Sequence, residues 1–204
     1  MSFFDDTKNV GLFLIIIGFV SLITAVCSVV IAGVYDIPQA RIRAGIVVGA
    51  IGTAIFGWLI LQFGKKVRDG MNDKVAFVSG LMRVVGIATI LGAIFAAVSS
   101  GLILGSIGAG IVSFVVAIIV GLIYLWIAEK IKGKDKNIIS KFLWVLILVA
   151  SPIVAIFYLI AFFGSIGSDP WVLMEGIRSL CWCPVYIFVF LAMLSPEIKQ
   201  SMGI

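Results

Sequence analysis

VVGIATILGAIFAAVSSGLILGSIGAGIVSFVVAIIVGLIYLWIA, residues 84–128, carries no charged side chain. A hydrocarbon layer of ~30 Å and a helical rise of about 1.5 Å per residue demand roughly 20 apolar residues per crossing, so this stretch holds two membrane spans and a tight turn. The turn is expected at Ser99-Ser100-Gly101, or a little later in the glycine-rich stretch ending at Gly110. Charge returns at Glu129-Lys130-Ile131-Lys132-Gly133-Lys134-Asp135-Lys136, the most basic segment of the chain, which closes the fourth span.

On the N-terminal side an apolar run from Val10 to Val34 ends at a loop, Tyr35 to Arg43, that contains Pro38 and two arginines. A second run, Ala44 to Phe63, ends at Gly64-Lys65-Lys66-Val67-Arg68-Asp69-Gly70, where glycine and charge together terminate a membrane helix. The third resumes near Val75. Beyond the basic segment a fifth run goes from Phe142 to Phe163 around Pro152, and a sixth from Trp171 to Leu194 around Pro184, with Gly164 to Pro170 as the loop. Bundles tolerate such prolines when neighbours satisfy the freed carbonyl. The expectation is an all-α, polytopic transmembrane helical bundle of six spans, about 10–34, 44–63, 75–98, 102–127, 142–163 and 171–194, in one membrane domain over 1–204.

Composition agrees: 62% of the residues are hydrophobic and 12% charged, with mean hydropathy +1.25, against roughly 45–50% and about 25% in a soluble domain. A net charge of +5 and a pI near 9.2 do not require nucleic acid, because the basic residues sit in short links where anionic lipid meets the cytoplasm. The bilayer is the expected partner. The leader carries Asp5 and Asp6 against Lys8, and Val26 is too large for the residue before a lipoprotein-type Cys27, so the first run reads as an uncleaved span.

Short loops rich in Lys and Arg are retained in the cytoplasm. One side collects Lys8, Lys65, Lys66, Arg68, Lys74, Lys130, Lys132, Lys134, Lys136, Lys141 and Lys199, and the other has Arg41 and Arg43. Both termini are therefore expected in the cytoplasm, of a protein in the cell membrane. Trp58, Trp126 and Trp144 near the inner boundary, with Tyr35 and Trp171 near the outer one, fit the interfacial preference of amphipathic rings.

Ala44-Gly45-Ile46-Val47 recurs as Ala109-Gly110-Ile111-Val112, and Gly57 is echoed by Gly121. Lys66-Val67-Arg68, Lys130-Ile131-Lys132 and Glu197-Ile198-Lys199 share a charged, branched-apolar, basic pattern where even-numbered spans leave the membrane. These matches suggest three parallel helical-hairpin repeats about an axis along the membrane normal. The alternative is that six spans with short loops recur at such a period anyway, and Gly, Val and Ile match by chance.

Small residues recur at every fourth position: Gly45, Gly49, Thr53 and Gly57 in span two, Ala88, Gly92 and Ala96 in span three, Ser113, Ala117 and Gly121 in span four. Lipid gives no hydrophobic drive for helix association, so such stripes are read as close packing between helices, with a self-association face or a narrow conduit as the functional alternative. Arg83 reads as a snorkelling anchor. Glu175 and Arg178, three apart on one face of span six, form a membrane ion pair and the candidate polar or transport site; an interfacial pair capping the bundle is the structural alternative.

The chain has no histidine, which removes Ser-His and Cys-His nucleophile pairs and imidazole metal sites. Cys181 and Cys183 flank Trp182 and precede Pro184. Two thiols at i and i+2 point apart on a helix, and Met174 is the one nearby soft donor, so they are weak metal candidates and small apolar residues by preference. Gly101 to Gly110 lacks the Lys-Ser or Lys-Thr of a phosphate loop. No cofactor is expected. The leading expectation is a non-enzymatic membrane protein of assembly or partner binding, by self-association or with other membrane proteins. A small transporter or channel with its site near Glu175 and Arg178 is the alternative, and a lipid-directed enzyme lacks a catalytic cluster. A transporter should contain a polar-lined cavity reaching mid-membrane near Glu175 and Arg178, a scaffold a dry core with an exposed small-residue stripe, and an enzyme a pocket with at least two converging polar side chains.

Overall fold

The computed structural model describes residues 7–34, 39–71, 73–133, 138–168 and 170–204, apart from the side chains of Pro170, Trp171 and Met174. Loop residues Tyr35, Asp36 and Pro38, and Lys134, Asp135 and Lys136, lie outside it, as do Asp5 and Asp6. The described elements are all helices: α1 (Thr7–Val34), α2 (Ala40–Arg68), α3 (Lys74–Leu104), α4 (Ile107–Lys132), α5 (Ile138–Ser165), α6 (Pro170–Met193) and the short α7 (Pro196–Ser201). Six are long and apolar enough to cross a membrane, and the protein is a multi-pass membrane bundle. Pro152 and Pro184 lie within α5 and α6.

The turn between α3 and α4 falls at Gly105 and Ser106, within the glycine-rich stretch ending at Gly110 that was the later of the two expected places, and Ser99-Ser100-Gly101 stays helical. The reason is local chemistry. Gly105 adopts φ +65, the left-handed C-cap that glycine reaches without a Cβ penalty. Ser106 then caps α4, its hydroxyl oxygen accepting from the Ala109 amide at 3.4 Å. The Ser100 hydroxyl bonds back to the Ala97 carbonyl at 3.2 Å, so it is satisfied inside the helix. At the other end of α3, the Asp73 carboxylate caps by accepting from the Val75 amide at 2.9 Å.

The helices form a ring in the order α4, α3, α2, α1, α6, α5, and the closing pair, α5 and α4, scarcely touches. A threefold arrangement of hairpins would make α2/α3, α4/α5 and α6/α1 alike, so the symmetry is broken at α4/α5. Glycines set the closest approaches. A Cβ on Gly57 would lie 2.8 Å from Ser21 Cβ and 2.9 Å from the Gly18 carbonyl oxygen, and one on Gly64 3.0 Å from the Gly11 carbonyl oxygen. Gly86 and Gly121 meet in the same way across α3/α4. Gly57 and Gly121 therefore do equivalent work in two hairpins. Gly45 and Gly110 do not, because Gly45 faces α3 of the next hairpin and Gly110 the first helix of its own.

One end of the ring carries Thr7, Ile204 and the lysine-bearing ends of α2, α3, α4 and α5, and is here called the basic side; the opposite end, where α1, α3 and α5 finish and α2, α4 and α6 begin, is the hairpin side. The packed core sits towards the basic side. Phe77 and Phe188 meet edge to face at 4.8 Å there, both fully buried, among Leu14, Ile60 and Val189. Val67, Ile131 and Ile198, the centres of the three charged exit patterns, are each 0% exposed in this core. The third pattern stands on α7, which tucks beneath the bundle. The Trp144 indole donates to the Met193 carbonyl at 2.7 Å and lies under the Lys199 ammonium. Trp58 and Trp126 are exposed.

Candidate functional site: a cavity in the hairpin half of the bundle

Towards the hairpin side the same ring is not filled. A cavity of about 560 Å³ lies between α2, α3 and α4 on one wall and α5 and α6 on the other. Along α3 its lining runs from Ser99 to Val85, about 21 Å of helix at about 1.5 Å per residue. It ends where the basic-side core begins.

The small residues create this space. Gly92 has nothing within 4 Å of where a Cβ would stand, and with the exposed Ala96 it forms the α3 wall of the cavity, while Ala88, also on the lining, is 2% exposed and packed against its neighbours. Gly49, Thr53 and Ala117 also line it, while Gly45, Gly57 and Gly121 are buried against neighbouring helices and Ser113 is half-buried. The regular stripes thus divide into two populations. Some positions bring backbones together, and others hold side chains short so that a cavity remains.

The opposite wall is aromatic. Arg178, Trp182 and Tyr186 stand one turn apart on α6 and all line the cavity, with Tyr158 of α5 beside them. Tyr158 stacks on Trp182 at 6.3 Å between ring centroids and meets Tyr186 at 5.6 Å, while Phe56 of α2 approaches Trp182 at 6.3 Å. Polar groups punctuate the lining: the Thr53 hydroxyl donates to the Gly49 carbonyl at 3.2 Å and the Thr89 hydroxyl to the Val85 carbonyl at 2.8 Å, leaving oxygen lone pairs over. The α6 aromatic stripe escaped the reading of the sequence, although its signal was present: an arginine followed at four-residue steps by Trp and Tyr.

Glu175 and Arg178 form an ion pair along α6, with side chains 34% and 28% exposed. Arg178 lines the cavity and Glu175 does not. Arg83, by contrast, pairs with Glu129 across α3/α4, with side chains 48% and 63% exposed. It ties α3 to the charged end of α4 at the surface. Cys181 and Cys183 are both half-buried, and among the described residues no three His, Cys, Asp or Glu side chains gather to hold a metal. The Met174 side chain lies outside the described residues. No protein-family model, no curated protein and no solved structure matches this chain.

Proposed function

We propose that the protein is a small non-enzymatic transporter or channel of the cell membrane, both termini cytoplasmic, whose solute site is the cavity beside Arg178. The carrying observation is the asymmetry of the ring: a partly polar cavity with a charged side chain fills its hairpin half, and a dry aromatic and aliphatic core seals its basic half. A transporter that works by alternating access requires this combination, a site near the middle of the bilayer that is closed off on one side. The lysine-rich links support assigning the basic side to the cytoplasm. The α3 stripe of small residues turns inward to the cavity, which weighs against a role limited to packing.

Flux in proteoliposomes tests this reading. Wild type is expected to move at least one member of a panel of inorganic ions, amino acids and organic acids, and Arg178→Gln to lose that flux. A panel without flux would refute it. Assembly or partner binding is the second reading, favoured by the slack α4/α5 seam. Apolar side chains such as Val116 and Phe157 are exposed on these two helices, where another helix would cover them.

A further inference from the structure

Resting on the transport reading, we propose that the cavity takes an organic anion with a flat apolar body, its acidic group on Arg178 and its body against the rings of Phe56, Tyr158 and Trp182. Among the described residues that line the cavity, Arg178 is the one formally charged side chain. Its guanidinium has five donors in a planar fork, and the Glu175 carboxylate engages it from along the helix, outside the lining. The remaining donors match a carboxylate or another planar acid in two-point geometry.

The rest of the wall selects the body. Trp182 sits one turn below Arg178, 7% exposed and ringed by Tyr158 and Phe56, so a planar group bound to Arg178 extends onto the accessible part of this ring cluster. Offset stacking on such rings favours flat ligands. The volume, about 560 Å³, falls within the roughly 300–1,000 Å³ of sites for small organic molecules. Aromatic cages also bind organic cations. Here the nearest formal charge on the lining is positive and one helical turn from the central ring, which opposes a cation and attracts an anion.

The two members of the ion pair then have opposite effects. Neutralising Arg178 removes the anchor; neutralising Glu175 removes its competitor. The test is isothermal titration of the full chain in phosphatidylcholine nanodiscs, with empty nanodiscs subtracted, using indole-3-acetate, benzoate and 2-naphthoate beside neutral indole and cationic tryptamine. At least one of the three anions is expected to saturate and to bind more tightly than indole and tryptamine. Arg178→Gln is expected to weaken it by roughly tenfold to a hundredfold, the range for a hydrogen bond to a charged group, and Glu175→Gln to leave it unchanged or tighter. Gly92→Leu, which fills the cavity without touching the pair, is expected to abolish binding. The double variant Glu175→Gln/Arg178→Gln leaves neither charge unpaired and is expected to bind no anion, which covers the case of an Arg178→Gln chain that does not fold. Preference for tryptamine, binding of none of the three anions, or anion binding that survives the double variant would overturn the assignment. Anion binding without flux of any solute would refute transport and keep the ligand class. Flux of neutral or cationic solutes with no anion bound would do the reverse.

Discussion

Two glycines of the bundle are predicted to respond to the same substitution with opposite sign. At Gly57 an added methyl carbon would stand 2.8 Å from Ser21 Cβ and 2.9 Å from the Gly18 carbonyl oxygen, where carbon contacts settle at about 3.5–4.0 Å. The α1/α2 crossing must open by several tenths of an ångström or more, and overpacking of this kind costs about 1–3 kcal/mol. At Gly92 the same methyl meets nothing within 4 Å, so only the backbone gain of alanine over glycine in a helix remains, roughly 0.5–1 kcal/mol. That gain is common to both sites and cancels in the comparison. Gly57→Ala should therefore be less stable than Gly92→Ala by about 1–3 kcal/mol, and Gly92→Ala at least as stable as wild type. Far-UV circular dichroism of SDS-induced unfolding in mixed micelles measures both. Equal stabilities within about 0.5 kcal/mol, the usual scatter between independent sites, would refute the division of small residues into close-packed and cavity-lining positions.

Further outcomes follow from the same geometry. Phe188→Ala removes a fully buried ring that meets Phe77 at 4.8 Å; it should cost about 3–5 kcal/mol and make the basic-side seal leak protons or small ions in a vesicle assay. Trp144→Phe keeps an aromatic ring but loses the indole N–H and its 2.7 Å bond to the Met193 carbonyl, so the same unfolding titration should register a loss of about 1 kcal/mol or more. Arg83→Gln should change stability by less than about 1 kcal/mol, since the pair with Glu129 is largely exposed, and should leave any flux intact.

The six spans are legible in the sequence because charge is nearly confined to the links, and the cost of burying it in hydrocarbon makes each interruption a boundary. What surrounds what is not legible. On a soluble helix the polar face marks the outside, but lipid and protein core accept the same side chains. Ile111 is exposed and Ile131 fully buried on the one helix α4. Glycine is equally mute: Gly57 closes a helix crossing and Gly92 opens a cavity, at positions that look alike in a four-residue stripe. The Glu175/Arg178 pair could be found because charge in a span is conspicuous. The rings that make it part of a site come from α2, α5 and α6, and their convergence is a property of the ring order alone.

The proposed route, entering the cavity from the hairpin side and closed at the basic side, is tested most directly by the reactivity of single cysteines with a membrane-impermeant methanethiosulfonate. Cys27, Cys181 and Cys183 are first replaced by alanine, and reagent is applied to each face of the membrane in turn. Ala96→Cys, on the cavity wall, should react from the hairpin side and not from the basic side, while Val189→Cys, in the packed core, should react from neither. An unreactive Ala96→Cys, or a Val189→Cys labelled from the basic side, would contradict a half-open bundle and the transport role inferred from it.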